Sequence, residues 1–433
     1  MATGIDDDVL RLVFENFTRE QLWKWPDAAY DQEEAQRPFL LAAVSRRWRS
    51  LALDTATLWT YFGFPGDAEL YPKHMERLRV LLVASKNAAV DIIITLGNAH
   101  DFNSPEISDT APDAFEVLEA LGALGPRWRN VCFRLPSNAI AHLRLALESP
   151  LPNLVSLFAV TGVDWNILPP APRLKQLYVE LEWSPLATAA PNGSTPMWHY
   201  PVLSSFTVMG EAFSIAFCAQ NFATLTEVCF NHDIYDQPDE PLQLPQVVSL
   251  TLDDARYLPH IHAPRLSRLC VGGNSTFELD RPLSGYATVK SLVLYGEIGV
   301  DLSTALWPLS SIQMLEFHVP KAVRTCFIRP IEWSTSVSFF CSLNEDARGL
   351  TWPLLERIRF RRSHDNRSTR CYISDLFDFV ENRNTDLALS QSTARIAEII
   401  VEQPGVIDPG TMTALAHLTT MSERYGMTQM YSR

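Results

Sequence analysis

The sequence predicts an α/β chain: a small N-terminal helical domain, then a stack of short parallel strands joined by irregular helices and loops, then a C-terminal helical cap. Three observations predict it. An apolar triplet recurs along much of the chain at intervals of about 23 residues, within the usual range of a strand-plus-connector repeat. A proline stands two residues before many of its copies. The first sixty residues instead place apolar side chains at helical spacing.

The triplet is an apolar anchor with further apolar residues three and five positions later. It reads Trp128/Val131/Phe133, Leu154/Leu157/Ala159, Leu174/Leu177/Val179, Leu203/Phe206/Val208 and Leu225/Val228/Phe230. It continues as Val247/Leu250/Leu252, Leu266/Leu269/Val271, Val289/Leu292/Leu294, Ile312/Leu315/Phe317 and Leu355/Ile358/Phe360. A degenerate copy, Ser334/Val337/Phe339, divides the last, long step. Pro126, Pro152, Pro172, Pro201, Pro245, Pro264 and Pro353 each precede an anchor by two. Proline cannot donate to a ladder or sit inside a helix, so each is placed at the first residue of a strand. Alternation then turns the +3 and +5 side chains to a buried face and the +2, +4 and +6 side chains outward.

Connectors between early strands have room for helices. Phe115, Leu118 and Leu121 share a stripe, and Asn138 is placed to cap a second segment over 139–148. Helical segments are also expected over 372–382, 393–401 and 410–425. The expected organisation is a helical domain over 1–62, a linker helix and N-terminal capping repeat over 63–127, the repeat stack over 128–362 and the cap over 363–433. A single repeat cannot bury its own face, so neighbours must stack. Ordinary strands of an α/β domain and a parallel β-helix are the rival readings of the same pattern.

Charge and composition narrow the function. The chain has 433 residues and a formal charge of −14, which argues against nucleic-acid binding and against docking on an anionic membrane. No uncharged apolar run reaches the roughly 18–20 residues that span a bilayer. The N-terminus has neither a basic nor an apolar signal region. Seven scattered cysteines without a Cys-x-x-Cys pair read as reduced thiols, so the expected location is cytoplasmic or nuclear. Phosphate-binding, zinc-protease and nucleophile-elbow motifs are absent, so a non-enzymatic chain without a cofactor is expected. His260 and His262 read as a solvated loop pair, since no other ligand sits at zinc spacing.

Two outward features stand out. Phe158, Tyr178 and Met209, with Val160 nearby, form an apolar-aromatic patch on the outward columns, and Tyr295 lies further along them. Such a patch is either an interface or the floor beneath the 185–201 loop. Arg357, Arg359 and Arg361 point one way from one strand. They suit an acidic or phosphorylated segment, or else form a charge row guarding a strand edge.

The N-terminal residues carry a family resemblance. Asp6 begins a helix with Val9, Leu10, Val13, Phe14 and Phe17 as its apolar positions, and Leu40, Leu41, Val44, Trp48 and Leu51 recur at helical spacing before Leu58-Trp59. The stretch from Ile5 to Phe14, the run Val44-Ser-Arg-Arg-Trp-Arg and the closing Leu58-Trp59 resemble the F-box. Together with the triplets, the chain is similar to mushroom-type fungal F-box proteins with divergent leucine-rich repeats. The resemblance implies a non-catalytic substrate receptor of a cullin–RING ubiquitin ligase. Ile5, Val9, Leu10, Phe14, Leu41, Val44, Trp48, Leu58 and Trp59 would meet a Skp-type adaptor, itself held on a cullin scaffold. Phe158, Tyr178, Met209, Tyr295, Arg357, Arg359 and Arg361 would meet an unidentified protein substrate. Ile5-Asp6 replaces the family's opening Leu-Pro, and a proline before Leu58-Trp59 is missing, which keeps open a repeat scaffold with a degenerate F-box. A β-helix carbohydrate-active enzyme is a more distant alternative.

Overall fold

Many repeats begin with a turn that a proline presets. In the computed structural model, Leu154 donates its N–H to the carbonyl of Leu151 (3.2 Å), Leu174 to Ala171 (3.0 Å), Leu203 to Tyr200 (3.1 Å), Leu266 to Ala263 (3.1 Å) and Leu355 to Trp352 (3.0 Å). The anchor's N–H thus closes a four-residue turn, and the proline is that turn's second residue, where its fixed φ is already correct. This corrects the expectation that proline opens the strand: the strand starts four residues later, at Ser156 or Gln176 for example. The turn's first residue is buried in copy after copy, at Leu151, Ala171, Tyr200, Leu244, Ala263, Leu309 and Trp352. The repeat therefore buries a fourth column.

The structure describes residues 5–18, 31–64, 71–95, 112–135, 143, 149–160, 170–180, 200–209, 221, 223–231, 241–272, 284–295, 306, 309–317, 352–360, 379–381, 383–384, 394–402 and 428–432. The chain divides into two compact units, Met1–Phe206 and Thr207–Arg433.

The first unit opens with helices α1 (Asp7–Thr18), α2 (Gln32–Val44) and α3 (Arg46–Asp54), then a 3₁₀ turn over Ala56–Trp59. There follow β1 (Tyr61–Phe64), α4 (Tyr71–Ala84), β2 (Val90–Thr95), α5 (Pro112–Gly122), β3 (Trp128–Arg134), β4 (Ser156–Val160) and β5 (Gln176–Glu180). The five strands pair in chain order, all parallel. The helix expected around Phe115, Leu118 and Leu121, over 113–121, forms as α5, while that expected over 139–148 lies outside the described residues apart from Leu143. The boundary expected at residue 62 falls inside β1. Strand β6 (Ser205–Met209) straddles the division between the units.

In the second unit β7 (Glu227–Asn231), β9 (Ser249–Leu252), β11 (Arg268–Gly272), β12 (Ser291–Tyr295), β13 (Met314–Phe317), β14 (Arg357–Phe360), β15 (Glu398–Glu402) and β16 (Thr428–Ser432) pair in that order, all parallel. The short strands β8 (Leu242–Gln243) and β10 (Ile261–His262) pair separately. Register places Leu250, Leu269, Leu292, Leu315, Ile358 and Ile399 in one row, each buried. One carbonyl per repeat accepts two N–H groups from the next: Ser267 O takes Lys290 N (2.9 Å) and Ser291 N (3.0 Å), and Lys290 O takes Gln313 N (2.8 Å) and Met314 N (3.0 Å). That shared acceptor fixes the register at the start of these strands.

The C-terminal expectation needs correction. Residues 393–401 were expected to be helical, yet 398–402 form β15, with Ala397 and Glu398 donating to the Glu356 carbonyl (2.8 and 3.2 Å), as Gln313 and Met314 donate to that of Lys290. Ile396, Ile399, Ile400 and Val401 are β-branched, which favours a pleated strand over a helix. Strand pairing thus runs past residue 362 to Ser432. Phe379 to Glu381, within the expected helix 372–382, are helical. The segment 410–425 and the copy at Ser334/Val337/Phe339 lie outside the described residues; β13 pairs directly with β14, so no strand separates them. Among the described residues no helix is long and apolar enough to cross a membrane.

Candidate functional site

The N-terminal helices are held by caps and a small aromatic core. Asp6 Oδ1 accepts the N–H of Asp8 (2.8 Å) at the start of α1, whose first turn also carries Asp7 and Asp8 against the positive helix end. Asp31 caps α2 by accepting the Glu34 N–H (3.0 Å), and Ser45 caps α3 by accepting that of Trp48 (3.1 Å). Helix α2 passes through Pro38. Phe14 meets Trp48 with ring centroids 5.0 Å apart, and Phe39 meets Trp59 edge-on at 5.2 Å. The indole N–H of Trp59 donates to the carbonyl of Ala52 (2.6 Å) in the last turn of α3. Arg47 bonds the Asp7 carboxylate through Nε (2.8 Å) and also reaches the carbonyl of Ile5.

The nine residues expected to meet an adaptor separate into two groups. Leu10, Phe14, Leu41, Leu58 and Trp59 are buried, and Trp48 is half-buried; these hold the module together. Ile5, Val9 and Val44 are exposed, Val44 at 61%. The exposed set is larger than expected, because Leu12, Val13, Phe17, Leu40 and Leu53 are exposed as well. Helix α1 carries two apolar stripes: Leu10 and Phe14 face inward, while Val9, Leu12, Val13 and Phe17 face outward. A helix serving only its own core needs one stripe. Counting apolar positions in 7–18 shows that there are too many for one face, which is the signal in the sequence.

The strand face differs from expectation. Phe158 and Tyr178 are buried and stacked, with centroids 4.0 Å apart and planes 12° apart, and Tyr295 is buried too. Cys132, Cys229, Cys270, Val293 and Glu316 of the same +4 column are buried with them. Most of the column expected to face solvent is therefore interior, while Thr207, Thr251 and Arg359 of the same column are half-buried. A parallel sheet is ordinarily covered on both faces, and its strands read as near-continuous apolar runs rather than alternating ones; Val131-Cys-Phe and Leu292-Val-Leu are such runs. Burial pushes the thiols of Cys132 and Cys229 up to about 12 and raises that of Cys270 further, so none is a ready nucleophile. The side chain of Met209, and Arg361, lie outside the described residues.

The arginine row meets acids in its own sheet. Arg357 is exposed and lies in register with Glu398 on β15; Arg359 is half-buried and lies in register with Glu316 on β13, which is 1% exposed. Cross-strand neighbours of opposite charge stabilise a sheet locally. In the first unit, Asp91 on β2 is buried and accepts from Arg129 Nε (2.9 Å) and Nη2 and from Asn130 Nδ2 (2.8 Å). The hydrogen bond to that carboxylate raises the guanidinium of Arg129 above its ordinary value. This clamp pins β2 to β3 and was not singled out in the sequence. His260 is half-buried and His262 exposed. Among the described residues no group of three or more His, Cys, Asp or Glu side chains is placed to hold a metal ion.

No protein-family model matches the chain, and no curated protein matches it.

Proposed function

We propose that the chain is a non-catalytic substrate receptor of a cullin–RING ubiquitin ligase, with residues 5–59 as an F-box-type docking module and the strand-turn repeats as a leucine-rich-repeat-like solenoid that recruits a protein substrate in the cytoplasm or nucleus. The observation that carries the reading is the outer face of the module. Ile5, Val9, Leu12, Val13, Phe17, Leu40, Val44 and Leu53 all lie exposed within 49 residues. Exposed apolar clusters of this kind mark protein interfaces, and burying one valine or leucine contributes about 1.5–3 kcal/mol. A Skp-type adaptor on the cullin scaffold is the partner that the F-box resemblance implies. The mechanism is proximity: the receptor raises the effective concentration of a substrate lysine near the charged ubiquitin-conjugating enzyme. With Phe158, Tyr178 and Tyr295 interior, substrate contact falls to exposed residues at the strand starts within each unit, such as Arg173 and Lys175 in the first or, separately, Arg265, Arg268 and Lys290 in the second.

Purified Skp-type adaptor is the test. The intact chain is expected to retain it in a pull-down, and the double variant Val9→Asp/Val13→Asp is expected to lose binding by more than a hundredfold with an unchanged melting temperature. Failure of the unaltered chain to bind would favour the second reading, a repeat scaffold with a degenerate module. That reading is favoured by Asp6 and by the missing proline before Leu58.

A further inference from the structure

The docking module and the first strands share one core. Trp59 closes the helical module, yet Trp59, Phe62 and Phe64 stand at the 0, +3 and +5 positions of the repeat, and all three are buried. Tyr61 pairs in register with Asp91 and Phe62 with Ile92, so β1 is an ordinary member of the parallel sheet. The ladder contact repeats as well: Asp91 N donates to the carbonyl of Thr60 (2.8 Å), the position equivalent to Ser267 and Lys290 in later repeats.

The indole of Trp59 then serves both sides. Its N–H ends α3 at Ala52, and its ring packs on Phe39 of α2. Trp128, the anchor of β3, does the same for α5, donating to Leu121 (3.1 Å), again seven residues upstream. The module is thus joined to its strand as α5 is joined to β3. Three further ties cross from the module, one to β1, one to α4 and one to the turn after α4. Asp31 N donates to Tyr61 Oη (3.1 Å), the Arg77 guanidinium lies 5.9 Å from the Phe39 ring, and Lys86 Nζ donates to the Asp54 carbonyl (3.0 Å) and Oδ1 (3.1 Å). The cavity among Ala35, Phe39, Phe62, Phe64, Leu78 and Leu81 measures only about 20 Å³, room for about one water.

We infer that the N-terminal helices are the capping coil of the sheet in the first unit, not a separately hinged domain, so that a partner docked on the outer face of α1 is held in a fixed attitude to β1–β5. An end strand of a parallel stack would otherwise present an apolar face to water, and the helices cover it. Swivelling the module would require breaking the Trp59 anchor and the Thr60–Asp91 ladder contact. The attitude of a docked partner rests on the docking reading above; the joint itself rests on packing alone.

Hydrogen–deuterium exchange on the full chain tests the joint. Phe39→Ala truncates a module residue at the joint, and Trp59→Phe keeps an aromatic ring but deletes the N–H and shrinks the indole. Both are expected to speed exchange at Ile92, Ile94 and Val131, at least tenfold for Phe39→Ala. Val9→Asp/Val13→Asp is expected to leave those amides at their original rates while removing adaptor, so loss of docking and loss of the joint are read separately. If Phe39→Ala speeds exchange in α1–α3 tenfold while Ile92, Ile94 and Val131 keep their rates, the module is an independent domain and the inference is overturned.

Discussion

Gly272 ends β11 at a point where no side chain fits, and replacing it tests the packing of the second unit. A Cβ built there would lie 2.4 Å from the Asp253 carbonyl oxygen, 2.9 Å from Asp253 Oδ1 and 3.0 Å from Tyr295 Cε2. The closest of these is backbone, and Asp253 is itself tied down, donating its N–H to Phe230 O (3.0 Å). The Tyr295 ring is equally held, because its hydroxyl passes over β11 to donate to Leu252 O on β9 (2.9 Å). Relief therefore needs movement of strand ends, and Gly272→Ala is expected to cost about 2–3 kcal/mol, as overpacking of an interior does. Urea unfolding followed by far-UV circular dichroism reads that loss as a lower midpoint. Tyr295→Phe removes only the hydroxyl and leaves the buried Leu252 carbonyl short of its donor, at about 1–2 kcal/mol. The double variant Gly272→Ala/Tyr295→Leu separates the causes: if the carbonyl contact dominates, shrinking the ring does not restore stability. A Gly272→Ala midpoint within about 0.5 kcal/mol of the original would refute the close approach.

Two further outcomes follow from charge and burial. Cys132, Cys229 and Cys270 are expected to resist iodoacetamide at pH 8 in the folded chain and to react once denaturant is added, as peptide mass spectrometry would record; alkylation of any of them under native conditions would contradict their burial. Asp54 accepts from Lys86 and then Arg11, which hold its carboxyl below its ordinary 3.8, so its contribution is present above that value and lost as pH falls through the lowered one. Asp54→Asn should therefore lower the melting temperature at pH 7 and make little difference at pH 2, and equal effects at both would remove the ion pairs from the account.

Much of the fold was legible because the repeat writes its burial into spacing. The 0, +3 and +5 positions of Leu174/Leu177/Val179 or Leu266/Leu269/Val271 are interior, as the pattern requires. The turn was half legible. Its proline was visible, and so was the apolar residue before it in Leu151-Pro152, Tyr200-Pro201 and Trp352-Pro353, yet only the hydrogen bond from anchor to turn start shows why both recur. The C-terminal strand β15 was misread because Ile396 to Val401 satisfies helical and pleated spacing about equally, and β-branching had to decide. The inner residues of the N-terminal helices followed from helical periodicity. The outer ones did not, since periodicity reports that a side chain is apolar and not which side of a helix is left uncovered.

By itself the sequence determined the repeat length, the anchors, the capped N-terminal helices and the absence of familiar catalytic motifs, because each is a local consequence of side-chain type and spacing. Tertiary structure alone decided that most of the +4 column is interior, that Trp59 belongs to helices and sheet at once, and that Arg357 and Arg359 lie opposite Glu398 and Glu316. Those outcomes depend on which distant segments come to lie against each strand. A side chain's alternation names the face it is on, but only the neighbouring chain decides whether that face meets water.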